Sequence, residues 1–223
     1  MPAFVAVTAV AGWFGIGLQG YISITNSLAS GAGLMAGVIE FVSFFTVLAN
    51  VLVASVLTAV LLRPRSVWGE FLSRPAVQAA AAAYIIVVGA AYYLLLWKVR
   101  HPEGLDLVSD VILHCFVPVF YIAYWLAFVP KGSLKWKDPA TWLIFPAVYL
   151  VYVLFRGAMS GLYPYPFTHV DALGYPRVLV NMAILLAAGW CTGVLLVAID
   201  HWVVRSSPAD RHRSIQVGSR RLQ

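Results

Sequence analysis

The sequence predicts an all-α polytopic membrane protein with six transmembrane helices in one bundle, and three observations predict it. Hydrophobic residues make up 61% of the chain and charged residues 11%, where a soluble globular chain carries about 25% charged residues. Too little polar surface is left to cover a water-facing fold, as the mean hydropathy of +0.84 also says. The 223 residues divide into six apolar stretches joined by short connections, each stretch of about 20 residues and so able to cross a hydrocarbon core about 30 Å thick.

The spans fall at residues 4–25, 37–62, 76–97, 108–129, 140–158 and 178–203. The first has no Lys or Arg before it. A signal peptide needs a basic start and a shorter apolar run, so this segment reads as a retained helix. Pro75, Pro139 and Pro176 stand where first helical turns begin and a missing N–H costs nothing, and Asp138 is placed to cap the fifth helix. One domain therefore occupies residues 1–203, and 204–223 reads as a basic tail without fixed structure. No internal repeat is visible, so no inverted-repeat transporter pattern is expected.

The balance of charge gives the orientation. Arg63, Arg65, Arg74, Lys131, Lys135, Lys137, Arg205, Arg211, Arg213, Arg220 and Arg221 lie in alternate connections and the tail; Lys98, Arg100 and Arg177, with Arg156 just inside a helix end, lie on the other side. Eleven against four predicts that both termini lie in the cytoplasm. Anchoring to anionic headgroups explains the basic tail, and nucleic acid is not expected as a partner. Cys115 and Cys191, the only cysteines, both fall inside spans, which excludes a disulfide framework and a zinc spacing.

Polar groups inside spans are costly, and here they gather in the outer half. In the second span Glu40, Ser43, Thr46 and Asn50 follow at spacings that keep one helical stripe. Asp110 and His114 are one turn apart in the fourth, Arg156 closes the fifth and Asn181 opens the sixth. Thr46 lies about 13 Å and His114 about 9 Å into their spans, which is one level within boundary error. Pro118 removes a hydrogen bond from the His114 carbonyl and predicts a kink there.

Bland readings exist for each residue. A threonine in a membrane helix usually bonds the carbonyl four residues back, here Val42. Ser43 and Asn50 suit interhelix contacts, Asp110 a helix cap, and Arg156 a headgroup contact. His101, His169, His201 and His212 read as solvated surface. His114 stands apart, because an ionisable residue within the membrane is a site hypothesis by default.

The chemistry this constellation supports is acyl transfer to water. Thr46 is the nucleophile, His114 its base and Asp110 the orienter of the imidazole. Asn50, Arg156 and Asn181 are candidate oxyanion donors, with Ser43 and Glu40 as further substrate contacts. The substrate would be a long-chain lipid ester taken from the membrane, and no cofactor or metal is required. Two other classes stay open: a lipid-binding or transport protein using the same groups on a headgroup, and a metal or haem site built on His114, Glu40 and Asp110, which lacks a second histidine within a span.

The strings FFTVLANVLVA around Thr46, HCFVP at His114, FVPKG at Phe128, RGAMSGLYPYPF and DALGY resemble bacterial membrane proteins of the Pr6Pr family over about residues 37–203. That family is similar in turn to the eukaryotic androgen-induced membrane hydrolases, which share an early Thr, a His followed closely by Pro, and a YPF string. The resemblance implies that Thr46 and His114 act together in hydrolysing fatty acid esters of hydroxy fatty acids. It says nothing of Asp110 or the oxyanion donors, which rest on position alone.

Overall fold

The computed structural model describes residues 1–63 and 65–206, and every regular element among them is helical. In chain order the main helices are α1 (Pro2–Ala29), α2 (Leu34–Ser43), α3 (Phe45–Leu62), α4 (Pro75–Leu96), α5 (Gly104–Phe128), α6 (Asp138–Ser160) and α7 (Tyr175–Arg205). All but α2 are long and apolar enough to span a membrane. The chain is thus a six-span helical bundle. The tail expected from 204 lies, from 207 onward, outside the described residues.

Successive spans alternate in direction, so the bundle has two ends. The proximal end carries the chain start, the 63–74 and 129–137 connections and the end of α7. The distal end carries the 30–33, 97–103 and 161–174 connections. Helices α3 and α4 form the centre, and the alanine run Ala79–Ala83 in α4 is buried throughout, small side chains letting neighbouring backbones come close. Of the apolar stretch of α4, 56% is buried, against 22% in α6 and in α7. Those last two helices therefore form the lipid-facing flank.

Several buried polar groups in the proximal half are paired across helices. Tyr121 donates to the Gln78 carbonyl at 3.1 Å and Tyr124 to the Gln78 side-chain oxygen at 3.0 Å. The carboxylate of Asp200, 1% exposed, accepts the Leu134 N–H at 3.1 Å. His201 shares a 2.8 Å contact with the Leu134 carbonyl, which its ring must donate. His201 is therefore a clamp between α7 and the 129–137 connection rather than solvated surface. His169 is also part-buried, its ring 5.1 Å from that of Tyr163. His212 lies outside the described residues.

Three local expectations change. Asp138 does not cap α6; it lies one residue inside the helix and accepts the Lys135 N–H at 2.8 Å. Helix α5 begins at Gly104, one turn before 108, so Asp110 is nearly two turns inside and cannot be its cap. The second span is not one helix. It breaks at Phe44, which is extended (φ −79°, ψ 122°), so α2 and α3 are separate.

That break frees backbone groups at membrane depth, where irregular backbone persists only when protein covers it or when it lines a cavity. Tyrosines supply the cover. Tyr149 donates to the Ser43 carbonyl at 2.8 Å, and the Thr46 N–H donates to the Tyr165 hydroxyl at 3.3 Å. The Ser43 hydroxyl bonds the Ile39 carbonyl at 2.5 Å and the Tyr152 hydroxyl at 2.8 Å. Two further departures from α-geometry, the π-helical turns Tyr92–Leu96 in α4 and Ile112–Phe116 in α5, flank the same level. The second of these contains His114 and lies just before Pro118.

Candidate active site

Thr46 is the second residue of α3. With the helix broken at Phe44, the Val42 carbonyl is no longer one turn behind it, and its hydroxyl turns to other partners. The Thr46 Oγ1 lies 3.3 Å from His114 Nε2 and 3.4 Å from the Tyr165 hydroxyl. Both contacts are at the long end for hydrogen bonds, as is common before substrate tightens a site. Both members of the pair are buried, Thr46 at 9% and His114 at 7% exposure.

The histidine is held on three sides. Its Nδ1 is 3.1 Å from the Asp110 carbonyl, an oxygen that can only accept, so in the neutral ring Nδ1 carries the proton and Nε2 presents a lone pair to Thr46. The Tyr92 ring stacks on the imidazole with centroids 4.0 Å apart and planes at 16°. Behind it, Gly89 lies against the His114 carbonyl, where an added Cβ would come within 3.3 Å. The π turn in α5 brings His114 into this slot, and the π turn in α4 brings Tyr92.

Asp110, 2% exposed, stands beside the ring with Oδ1 3.6 Å from Nδ1. Its other oxygen accepts the Tyr92 hydroxyl at 2.8 Å, and Arg100 approaches Oδ1 to 3.7 Å from the distal surface. A buried carboxylate needs such partners. The ring is thus oriented chiefly by the backbone of Asp110 and only secondarily by its carboxylate.

The other residues expected from sequence do not join the pair. Glu40 is exposed on α2, on the far side of the break from Thr46, so the stripe that seemed continuous is divided. Ser43 is spent on Ile39 and Tyr152. Asn50, fully buried, donates to the Thr46 carbonyl at 2.9 Å and the Leu113 carbonyl at 3.2 Å. It ties α3 to α5 beneath the pair and has no donor left for an oxyanion. Asn181 donates to the Phe167 carbonyl at 2.9 Å and so anchors the loop after α6. Arg156 makes no side-chain hydrogen bond or ion pair with the pair.

Tyr165 is the residue that sequence reasoning passed over. It enters from the 161–174 connection, whose path is set by two glycines. Gly161 ends α6 in the left-handed region (φ 68°), which favours glycine. Gly157 lies under the Tyr163 ring, so close that a Cβ there would fall 1.9 Å from the ring. The Tyr165 ring is half-buried with its hydroxyl enclosed, and that burial pushes the phenol pKa up. It keeps its proton and can donate it. The only signal in the sequence was the YPYPF string itself.

No protein-family model, curated protein or solved structure matches this chain. Function therefore rests on the site. Among the described residues no three His, Cys, Asp or Glu side chains gather as metal ligands, and the Thr46, His114 and Tyr165 set contains one good ligand at most.

Two clefts meet at the pair. One is almost wholly apolar, lies between α3, α4, α6 and α7, and includes Thr46, His114 and Tyr165 in its wall. The other lies on the distal side of the same three residues and adds Gln19, Arg100, Pro164 and Pro166. An apolar chamber and a more polar vestibule that share the Thr46 and His114 side chains suit an amphiphile with its polar group at the junction.

Proposed function

We propose that this protein hydrolyses a lipid ester, with Thr46 as nucleophile and His114 as base. The observation that carries the reading is the 3.3 Å approach of Thr46 Oγ1 to the unprotonated nitrogen of His114. In the first half-reaction His114 Nε2 takes the hydroxyl proton while Oγ1 bonds the ester carbonyl carbon. Collapse of the tetrahedral species breaks the ester C–O bond, and the imidazolium returns that proton to the leaving alcohol. In the second half, water attacks the threonyl ester with His114 again as base, releasing the acid and restoring Thr46. A donor for the oxyanion is at hand in the Tyr165 hydroxyl, beside the N-terminus of α3, where the helix dipole also favours negative charge.

Membership of the Pr6Pr family, and kinship with the androgen-induced membrane hydrolases, belong to the same proposal. So do a bacterial plasma-membrane location and cytoplasmic termini, which the excess of Lys and Arg at the proximal end supports. That orientation puts the pair in the outer half of the bilayer and the vestibule toward the outside. Membrane lipids are the expected partners and a long-chain lipid the expected substrate.

The test is a fluorophosphonate probe on the purified protein. Labelling at Thr46, abolished in Thr46→Ala and His114→Ala, is the expected result, since only an activated hydroxyl reacts. Absence of labelling, together with lipid binding and no turnover across a broad ester panel, would replace hydrolysis with lipid binding or transport.

A further inference from the structure

The apolar cleft has a defined floor. Along α4 its wall runs from Tyr92, at the level of His114, to Ala83 nine residues deeper, a drop of about 14 Å at 1.5 Å per residue. At that depth the Tyr84 hydroxyl donates to the Trp142 carbonyl at 2.5 Å, tying α4 to α6. From α7, Gly189 faces Leu143, its position for a Cβ 3.4 Å from that side chain. One turn further, Gly193 lies hard against Pro139 and Trp142, with Cβ distances of 2.9 and 3.3 Å. Nothing passes between the helices there.

The depth is that of about one leaflet, half of a hydrocarbon core about 30 Å thick. One membrane-length acyl chain would fill it from the reactive pair to the floor. The other side of the pair is the vestibule with Gln19 and Arg100, the natural route for water to enter and a polar alcohol to leave.

We propose that the apolar cleft is a ruler for the acyl side of the ester: the acyl chain descends from Thr46 to the floor made by Tyr84, Trp142 and Gly189, and the alcohol side occupies the vestibule. This rests on the hydrolytic reading of Thr46 and His114 and adds which half of the substrate is measured and where. Val87 lines the cleft about half-way down, five residues from Tyr92, and Gly189 marks its end. The two positions set two stops at different depths. Neither touches the reacting atoms.

The experiment compares rates for umbelliferyl esters of hexanoic, lauric and palmitic acids, and for acetate esters of the matching long alcohols, in wild type, Gly189→Leu and Val87→Phe. Gly189→Leu improves helix propensity, so folding should survive. The palmitoyl-to-hexanoyl ratio is expected to fall about tenfold or more in Gly189→Leu, on the scale at which one lost pocket contact discriminates. In Val87→Phe the lauroyl ester should fall as well. The acetate series should change in neither variant. An equal change along the acyl series, or a length effect confined to the alcohol series, would overturn the assignment.

If wild type turns over none of these esters, the hydrolytic reading fails by itself. The ruler is then read from displacement of a fluorescent fatty acid from the protein in nanodiscs by hexanoate, laurate and palmitate. A drop in palmitate affinity alone in Gly189→Leu supports it, and a length profile unchanged by both substitutions overturns it.

Discussion

Tyr92 stacks on His114 at 4.0 Å and at the same time donates its hydroxyl to Asp110 at 2.8 Å, so one side chain both positions the ring and satisfies the buried carboxylate beside it. The two roles separate by substitution. Tyr92→Phe keeps the stack and strands the carboxylate, and a hydrogen bond to a charged group contributes about 1.5 to 3 kcal/mol. We expect a lower Tm in detergent with activity partly kept. Tyr92→Leu removes the stack too and should lose clearly more activity than Tyr92→Phe; equal losses would mean that the stack positions nothing.

Thr46 and His114 should behave as one unit. Each alanine substitution is expected to remove most ester turnover, and the double variant little more than either alone, because a nucleophile without its base and a base without its nucleophile are equally idle. Losses that multiply would separate the two residues functionally.

How much of this was visible in the sequence divides by physical origin. The six spans follow from apolar run length, and the level shared by Thr46 and His114 follows from helix rise; both are local quantities. The break at Phe44 was not legible. No Gly or Pro marks it, and it exists because Tyr149 and Tyr165, more than a hundred residues later, take the backbone groups it frees. With the break missed, Glu40 and Ser43 looked like continuations of the Thr46 stripe. Asn50 was placed at the right level but assigned the wrong partner, since its role depends on carbonyls of two helices. Tyr165 escaped because a loop residue has no period to read.

Gly157 should matter although it touches no reacting atom. A methyl there would displace the Tyr163 ring and with it the loop that delivers Tyr165. Gly157→Ala is therefore expected to lower turnover severalfold or more while raising the intrinsic propensity of α6 by about 1 kcal/mol. Kinetics and thermal unfolding on the same preparation check it. Activity equal to wild type would show that the loop does not need Tyr163 as its anchor.

The proposed orientation predicts labelling. In a background with Cys115 and Cys191 replaced by serine, single cysteines at the exposed positions of Glu103 and Asp171 should react with an impermeant maleimide added to intact cells. One at Lys135, also exposed, should react only after lysis. The reverse pattern would invert the bundle and place the vestibule on the cytoplasmic side.

Asp110→Asn tests what holds the His114 ring. Where a carboxylate alone fixes the histidine tautomer, replacing it by the amide costs on the order of 10⁴ in rate, because the amide can turn the wrong nitrogen toward the nucleophile. Here the Asp110 backbone carbonyl, 3.1 Å from Nδ1, survives the substitution and continues to demand a proton on that nitrogen. What is lost is the negative charge 3.6 Å from the imidazolium that forms during reaction, and Arg100 already offsets part of that charge. The expected cost is therefore on the order of ten- to a hundredfold, each factor of ten being about 1.4 kcal/mol in the barrier. The Asn variant should also lose the pull of Arg100 across the vestibule wall, so Arg100→Gln should change turnover less in the Asn background than in wild type. A loss near 10⁴ in Asp110→Asn would make the carboxylate, not the carbonyl, the group that orients His114.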